Sequence, residues 1–148
     1  MTYPGRVTSQ DPYAVFRPRR GALVARLSAV AVLAVFGGLA VIAPGTWALA
    51  DRVLVTLFAV LVAAGLWRFG MVRAVPTSQG LRVINLIYSR ELEWAEILRV
   101  SLAGGTPWAM LELSDTEELA VMGIQRADGA FARAEAARLA ALVEHHSR

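Results

Sequence analysis

Apolar residues run almost without a break from Leu23 to Phe69, and beyond Met71 they recur in short bursts between turn formers. The first region divides into Leu23–Ala43 and Trp47–Phe69, joined by Pro44-Gly45-Thr46. A hydrocarbon core about 30 Å thick is crossed by roughly 20 helical residues, and each segment has that length. A three-residue connection leaves the chain no route but straight back, so the pattern predicts a helical hairpin. Trp47 and Trp67 stand 20 positions apart, about 30 Å at the helical rise, the separation expected of interfacial aromatics.

After the hairpin the period shortens. Leu81-Arg82-Val83, Glu91-Leu92-Glu93-Trp94, Leu98–Leu102, Trp108–Leu113 and Leu119–Ile124 have strand composition. Ser78-Gln79-Gly80, Tyr88-Ser89, Gly104-Gly105-Thr106-Pro107 and Ser114-Asp115-Thr116 separate them as turns. Five or six short antiparallel strands follow from this spacing. Asp128 reads as the N-cap of a closing helix that runs to about His146, with Phe131, Leu139, Leu142 and Val143 toward one side. Glu135 falls near that apolar side.

Composition sharpens the division. With 56% hydrophobic residues and a mean hydropathy of +0.49, the chain lies outside the usual range of soluble domains. Residues 1–73 carry eight Arg and two Asp, +6; residues 74–148 carry seven Arg and ten acidic residues, −3. The strand-rich half is therefore slightly acidic, which removes the electrostatic case for nucleic acid despite a pI near 10.2. With no cysteine, disulfides, thiolate nucleophiles and Cys-based metal sites are excluded.

Residues 1–21, with Arg6, Arg17, Arg19 and Arg20 and no apolar periodicity, read as a flexible basic tail. Arg26 sits one turn inside the first span, and Asp51 and Arg52 one turn inside the second. Near span ends such side chains snorkel to the headgroups, so Arg19, Arg20, Arg26, Trp47, Asp51, Arg52 and Trp67 form the expected membrane-interface set. The sharper reading of Asp51 and Arg52 is an intramembrane ion or proton site. Ala34/Gly38 and Ala59/Ala63 are small-residue pairs through which the helices could approach closely. Arg clusters on the outer flanks of the hairpin and is sparse at its tip, which predicts a two-pass protein of the inner (plasma) membrane with both termini cytoplasmic. Ala48-Leu49-Ala50 before Asp51 also has the form of a signal-peptide cleavage site, but the apolar run is too long and a second span follows at once.

A strand meander closed by one C-terminal helix is the order of a pleckstrin-homology (PH)-like domain. Gly80-Leu81-Arg82-Val83, Trp94-Ala95-Glu96-Ile97 followed by Val100, and Val121-Met122-Gly123-Ile124-Gln125 resemble the bacterial PH domain family. A two-helix hairpin ahead of such a domain is similar to its small membrane members, including those named low-molecular-weight protein antigen. The expected architecture is a basic tail (1–21), a transmembrane hairpin (22–70) and a PH-like domain (71–148), the last an antiparallel β-barrel or sandwich capped by the C-terminal α-helix. The resemblance implies a structural motif at Gly80, Leu81, Val83, Trp94, Glu96 and Ile97, with Trp94 and Ile97 plugging the barrel and Glu96 facing water.

No catalytic constellation emerges. Gly104-Gly105-Thr106-Pro107 lacks the lysine and helix of a phosphate loop. His145 and His146 are helical neighbours pointing about 100° apart, poorly placed to share a metal. Glu91, Glu93, Glu96, Asp115, Glu117 and Glu118 read as solvated faces. PH-like domains that read phosphoinositides carry basic residues between their first two strands, and Pro76–Gly80 has none. The expectation is a non-enzymatic, cofactor-free, metal-free interaction module anchored at the cytoplasmic face of the bilayer. Its partner would be a membrane or cytoplasmic protein, bound at a sheet edge or beside the closing helix, with self-association into a homo-oligomer also open. The alternative is an accessory subunit of an envelope transport or channel complex.

Overall fold

A computed structural model describes residues 11–102 and 104–148. Two long helices, α1 (Arg20–Ile42) and α2 (Leu49–Phe69), lead into β1 (Arg73–Pro76), β2 (Gly80–Ile84) and β3 (Ser89–Glu93). A 3-10 turn (Trp94–Glu96) then leads to β4 (Ile97–Ser101), β5 (Trp108–Leu113) and β6 (Glu118–Gln125). A second 3-10 turn (Arg126–Asp128) precedes α3 (Ala130–His146). The strands form two antiparallel three-stranded sheets, β1-β2-β3 and β4-β5-β6. They face each other as a sandwich with α3 across it, in agreement with the expected fold class.

The two helices are about 35 and 32 Å long at 1.5 Å per residue, long and apolar enough to cross a membrane. They pack antiparallel through small side chains: Ala25, Ala29 and Ala40 on α1 and Ala59 and Ala63 on α2 are buried. Phe36 meets Phe58 edge-on at 5.9 Å. Of the two anticipated small-residue pairs, Ala59/Ala63 lies at the contact. Ala34 and Gly38 are exposed instead; the helix phase turns Ala25 and Ala29 inward. The outward faces are apolar too, for only 17% and 11% of the two apolar windows are buried. A core helix of a water-soluble domain has the reverse balance.

Each helix end borrows a cation from the other helix. The Arg52 guanidinium donates to the Ala40 and Ala43 carbonyls at 2.7 Å each and to Val41 and Pro44 at 3.3 Å, closing the C-terminus of α1. Arg26 reaches the Gly70 carbonyl beyond α2 at 3.4 Å and lies 5.9 Å from the Trp67 ring centroid. The Asp51 carboxylate accepts from the Ala48 amide at 3.0 Å at the start of α2. Exposed helix carbonyls carry partial negative charge, so both guanidiniums sit where the macrodipole favours them.

Period-2 burial shapes the sandwich. β5 alternates along Trp108–Leu113, burying Ala109, Leu111 and Leu113, and β6 buries Leu119, Val121, Gly123, Ile124 and Gln125. From the other sheet come Leu81, Val83 and Leu92, and α3 adds Ala132, Leu139, Leu142 and Val143. Asn85, fully buried, bridges the sheets: its amide donates to the Ala120 carbonyl at 2.7 Å and accepts from the Met122 amide at 3.1 Å.

Two expectations need correction. Residues 11–19 are not a flexible tail but a strap built into the sandwich (Arg6 lies outside the described residues). Phe16 is fully buried and exchanges backbone hydrogen bonds with Ala74 at 2.9 and 3.0 Å. Gly123 makes room for it, since a Cβ there would stand 2.8 Å from the Phe16 carbonyl oxygen. Arg138 covers the Phe16 ring at 3.8 Å, donates to the Pro12 and Ala14 carbonyls at 2.8 and 2.9 Å, and is held by both oxygens of buried Glu135. Two aromatics, Phe16 and Tyr13, and scattered carbonyls supply the attachment, so no periodicity announces it.

The second correction concerns Asp128. A positive φ of 59° at Gly129 breaks the chain before Ala130, and the Asp128 carboxylate turns instead to α1. It accepts from the amides of Arg19 and Arg20 at 2.9 and 2.8 Å, capping a helix 108 positions earlier. Arg19 also lies over the Phe131 ring at 3.8 Å. Sandwich and helix pair are thereby joined through the strap that runs into α1, the α2–β1 connection and this cap.

Candidate functional site

A groove of about 900 Å³ opens at the end of the β1-β2-β3 sheet that lies away from the helix pair. The direction follows from connectivity: β1 starts three residues after α2 and runs away from it, so the turn at Thr77–Gly80 is at the opposite end. The groove is lined by that turn and by β2 and β3, including Thr77, Gln79, Arg82, Glu91, Glu93 and Glu96. Three carboxylates against one guanidinium give it a net charge of −2. Strand β3 is an edge of its sheet, with one hydrogen-bonded neighbour, β2. Its Glu91 forms an exposed ion pair with Arg82 at 3.3 Å, a weak contact that a competing cation could replace.

The residues of the Trp94 motif build this end from within. Trp94 is buried, its indole N–H donating to the Thr77 carbonyl at 3.0 Å and its ring stacked on His146 at 4.9 Å and 4°. It therefore fixes the β1–β2 turn against the end of α3. His146 in turn meets the Tyr13 hydroxyl at 2.8 Å through Nε2. Ile97 is 2% exposed and belongs to the core. Half-buried Glu96 accepts from the Glu93 amide at 2.6 Å and so holds the 3-10 turn, while its backbone carbonyl accepts from Ser114. Leu81 and Val83 point into the sandwich. At Gly80 a Cβ would collide with the Leu92 carbonyl oxygen, so only glycine lets β2 lie this close to β3.

Beside the groove, Arg90 spans from β3 to the β5–β6 turn, bonding Glu117 at 2.6 Å and Asp115 at 3.1 Å. These bonds hold the Arg90 guanidinium above its ordinary pKa, the Glu117 bond contributing most. The Glu117 amide, then Arg90, holds the Asp115 carboxyl below the usual carboxylate range.

The membrane-interface set falls at the two ends of the helix pair. Arg26 and Trp67 lie together at the sandwich end with Arg19 and Arg20; half-buried Trp47 and Arg52 and exposed Asp51 lie at the far tip. Sequence reasoning missed Tyr13, Phe16, Asn85 and Arg138, each of which has a partner more than 30 positions away; the two aromatics Tyr13 and Phe16 between Pro12 and Pro18 were the available hint for the strap. Among the described residues no group of three or more His, Asp and Glu could hold a metal ion.

The comparisons agree with this geometry. The bacterial PH domain family matches residues 71–141, which take in all six strands and most of α3. Two uncharacterised mycobacterial proteins, Rv1417 of Mycobacterium tuberculosis and Mb1452 of Mycobacterium bovis, are each 37% identical to this chain over 79 residues. The aligned part covers 53% of this chain and 51% of each relative, so the chain spans about half the length of the curated relatives it matches. No solved structure matches. Sandwich topology and sequence match together identify residues 71–141 as a domain of the bacterial PH family.

Proposed function

We propose that this chain is a non-catalytic PH-like interaction module, anchored by its helix pair at the cytoplasmic face of the plasma membrane, that binds a protein partner through the acidic groove. The observation that carries this reading is the groove's position, at an edge strand on the end of the sandwich turned away from the apolar helices. An extended segment can add to β3 through main-chain hydrogen bonds, and Glu91, Glu93 and Glu96 favour one that carries Arg or Lys. The helices limit the search to the membrane surface and raise the effective concentration toward membrane-bound partners. Outer-flank Arg clustering supports the cytoplasmic placement. The transport-accessory reading draws less support, because Asp51 and Arg52 are occupied in closing helix ends.

The test is affinity purification of the full chain in mild detergent, compared with a Glu91→Arg/Glu93→Arg variant. Both side chains are exposed, so the variant keeps the fold. A protein retained by the parent and lost from the variant is the expected result. Identical co-purifying sets would overturn the groove as the binding surface.

A further inference from the structure

The β2–β3 turn is apolar and points the other way, toward the helices. Ile87 at its tip is 88% exposed and Tyr88 is 46% exposed, and Asn85 to Ser89 include no charged side chain. In the antiparallel register Arg73 faces Ile84, so the turn projects beyond the residue that begins β1, four positions from the end of α2. Buried Asn85 fixes the base of the turn to β6, and Gln125 at the end of β6 lies against Gly21 of α1. The turn therefore emerges at the end of the sandwich where both helices attach. Met71 and Trp67, both exposed, lie at this same end, where α2 finishes.

We infer that Ile87 and Tyr88 insert into the interfacial layer of the bilayer as a third contact beside the two helices. The inference rests on the reading that the helix pair spans a membrane. Its occupant follows from continuity: the apolar surface of α2 ends at Trp67 and Met71, and the turn lies at that same end. An aliphatic tip followed by a tyrosine matches the layer, with the ring body among acyl chains and the hydroxyl among headgroups. Leu98, 65% exposed on β4, has no such neighbour: it follows Ile97 directly after the Trp94 turn, at the opposite end. Three attachments would hold the acidic groove at a set height and orientation above the lipid surface.

The chain has no cysteine, so Ile87→Cys, Leu98→Cys and Leu33→Cys each supply one thiol for a polarity-sensitive fluorophore. Each full-length variant is reconstituted in phosphatidylcholine–phosphatidylglycerol vesicles that contain shallow or deep spin-labelled quencher lipids. The Ile87 label should be blue-shifted and lose emission to shallow quenchers, while the Leu98 label should remain water-like. The Leu33 label, in the middle of α1, should be quenched by the deep lipids. Quenching at Leu33 with a water-like Ile87 label would overturn this inference alone. A Leu33 label untouched by deep quenchers would overturn the spanning reading, and this inference with it.

Discussion

At the residue scale, the side chains that matter most join elements rather than line a reaction centre. Trp94 combines a large apolar body with a satisfied N–H, ties the β1–β2 turn to β3 and stacks on the last turn of α3. Replacing it by alanine removes an aromatic from a packed core and orphans the Thr77 carbonyl. Trp94→Ala should destabilise the full chain by about 3–5 kcal/mol, measured by denaturant unfolding in detergent and followed by a probe confined to the sandwich. A loss under about 1 kcal/mol would contradict the core role. Thr116 makes a smaller point of the same kind. It adopts φ 69° in the β5–β6 turn, a region that β-branched residues disfavour. Thr116→Gly should stabilise the sandwich by a few tenths to about 1 kcal/mol, as local strain outweighs the added chain entropy. A clear destabilisation would mean that the threonine side chain contributes more than its backbone costs.

At the element scale, the strap 11–19 and the cap on α1 decide how sandwich and helices are coupled. Two amides at a helix N-terminus converge on one carboxylate, so charge and hydrogen bonding act together at Asp128. Asp128→Ala should lower stability by about 1–2 kcal/mol. It should also speed amide hydrogen exchange at Arg19, Arg20 and the first turn of α1, while leaving exchange within β5 near the parental rate. Equal acceleration throughout the sandwich would show that the cap supports the whole fold rather than the junction. The strap also defines what can be cut away. A fragment beginning at β1 would lose Phe16 from the core and leave Glu135 and Arg138 without the segment they hold, so solution measurements belong on the whole chain.

At the scale of the whole molecule, the turn that phosphoinositide-reading PH domains use is turned away from the apolar helices and lacks basic residues. Arg–phosphate contacts supply much of inositol headgroup recognition, and here the surroundings carry Glu91, Glu93 and Glu96. Titrating the full chain in detergent with soluble inositol phosphates should show no saturable binding below about 1 mM. Micromolar, salt-resistant affinity that follows the phosphate pattern would overturn this and make lipid sensing the leading function. Electrostatic attraction to anionic lipid should come instead from Arg17, Arg19 and Arg20 beside α1, and weaken as salt shortens the Debye length.

Local order was legible wherever one residue's neighbours in sequence are also its neighbours in space. The two apolar helices, the meander, the turns at Gly104-Gly105 and Ser114–Thr116 and the closing helix all follow from period, length and turn chemistry, and the Gly80 and Trp94 motifs pointed to the family of residues 71–141. Asp128 shows where that reading ends. Its residue type and place before a helix are those of an N-cap, yet the left-handed Gly129 and the nearness of α1 redirect the carboxylate to another helix. Phe16, Asn85, Arg52 and Arg138 likewise act on backbone groups that the fold alone brings near. Backbone carbonyls and amides are the same at every position, so sequence carries no mark of which ones a distant side chain will find. The sequence by itself determined the elements and the family; only the tertiary structure decided how the sandwich is fastened to the helices and which way its groove faces.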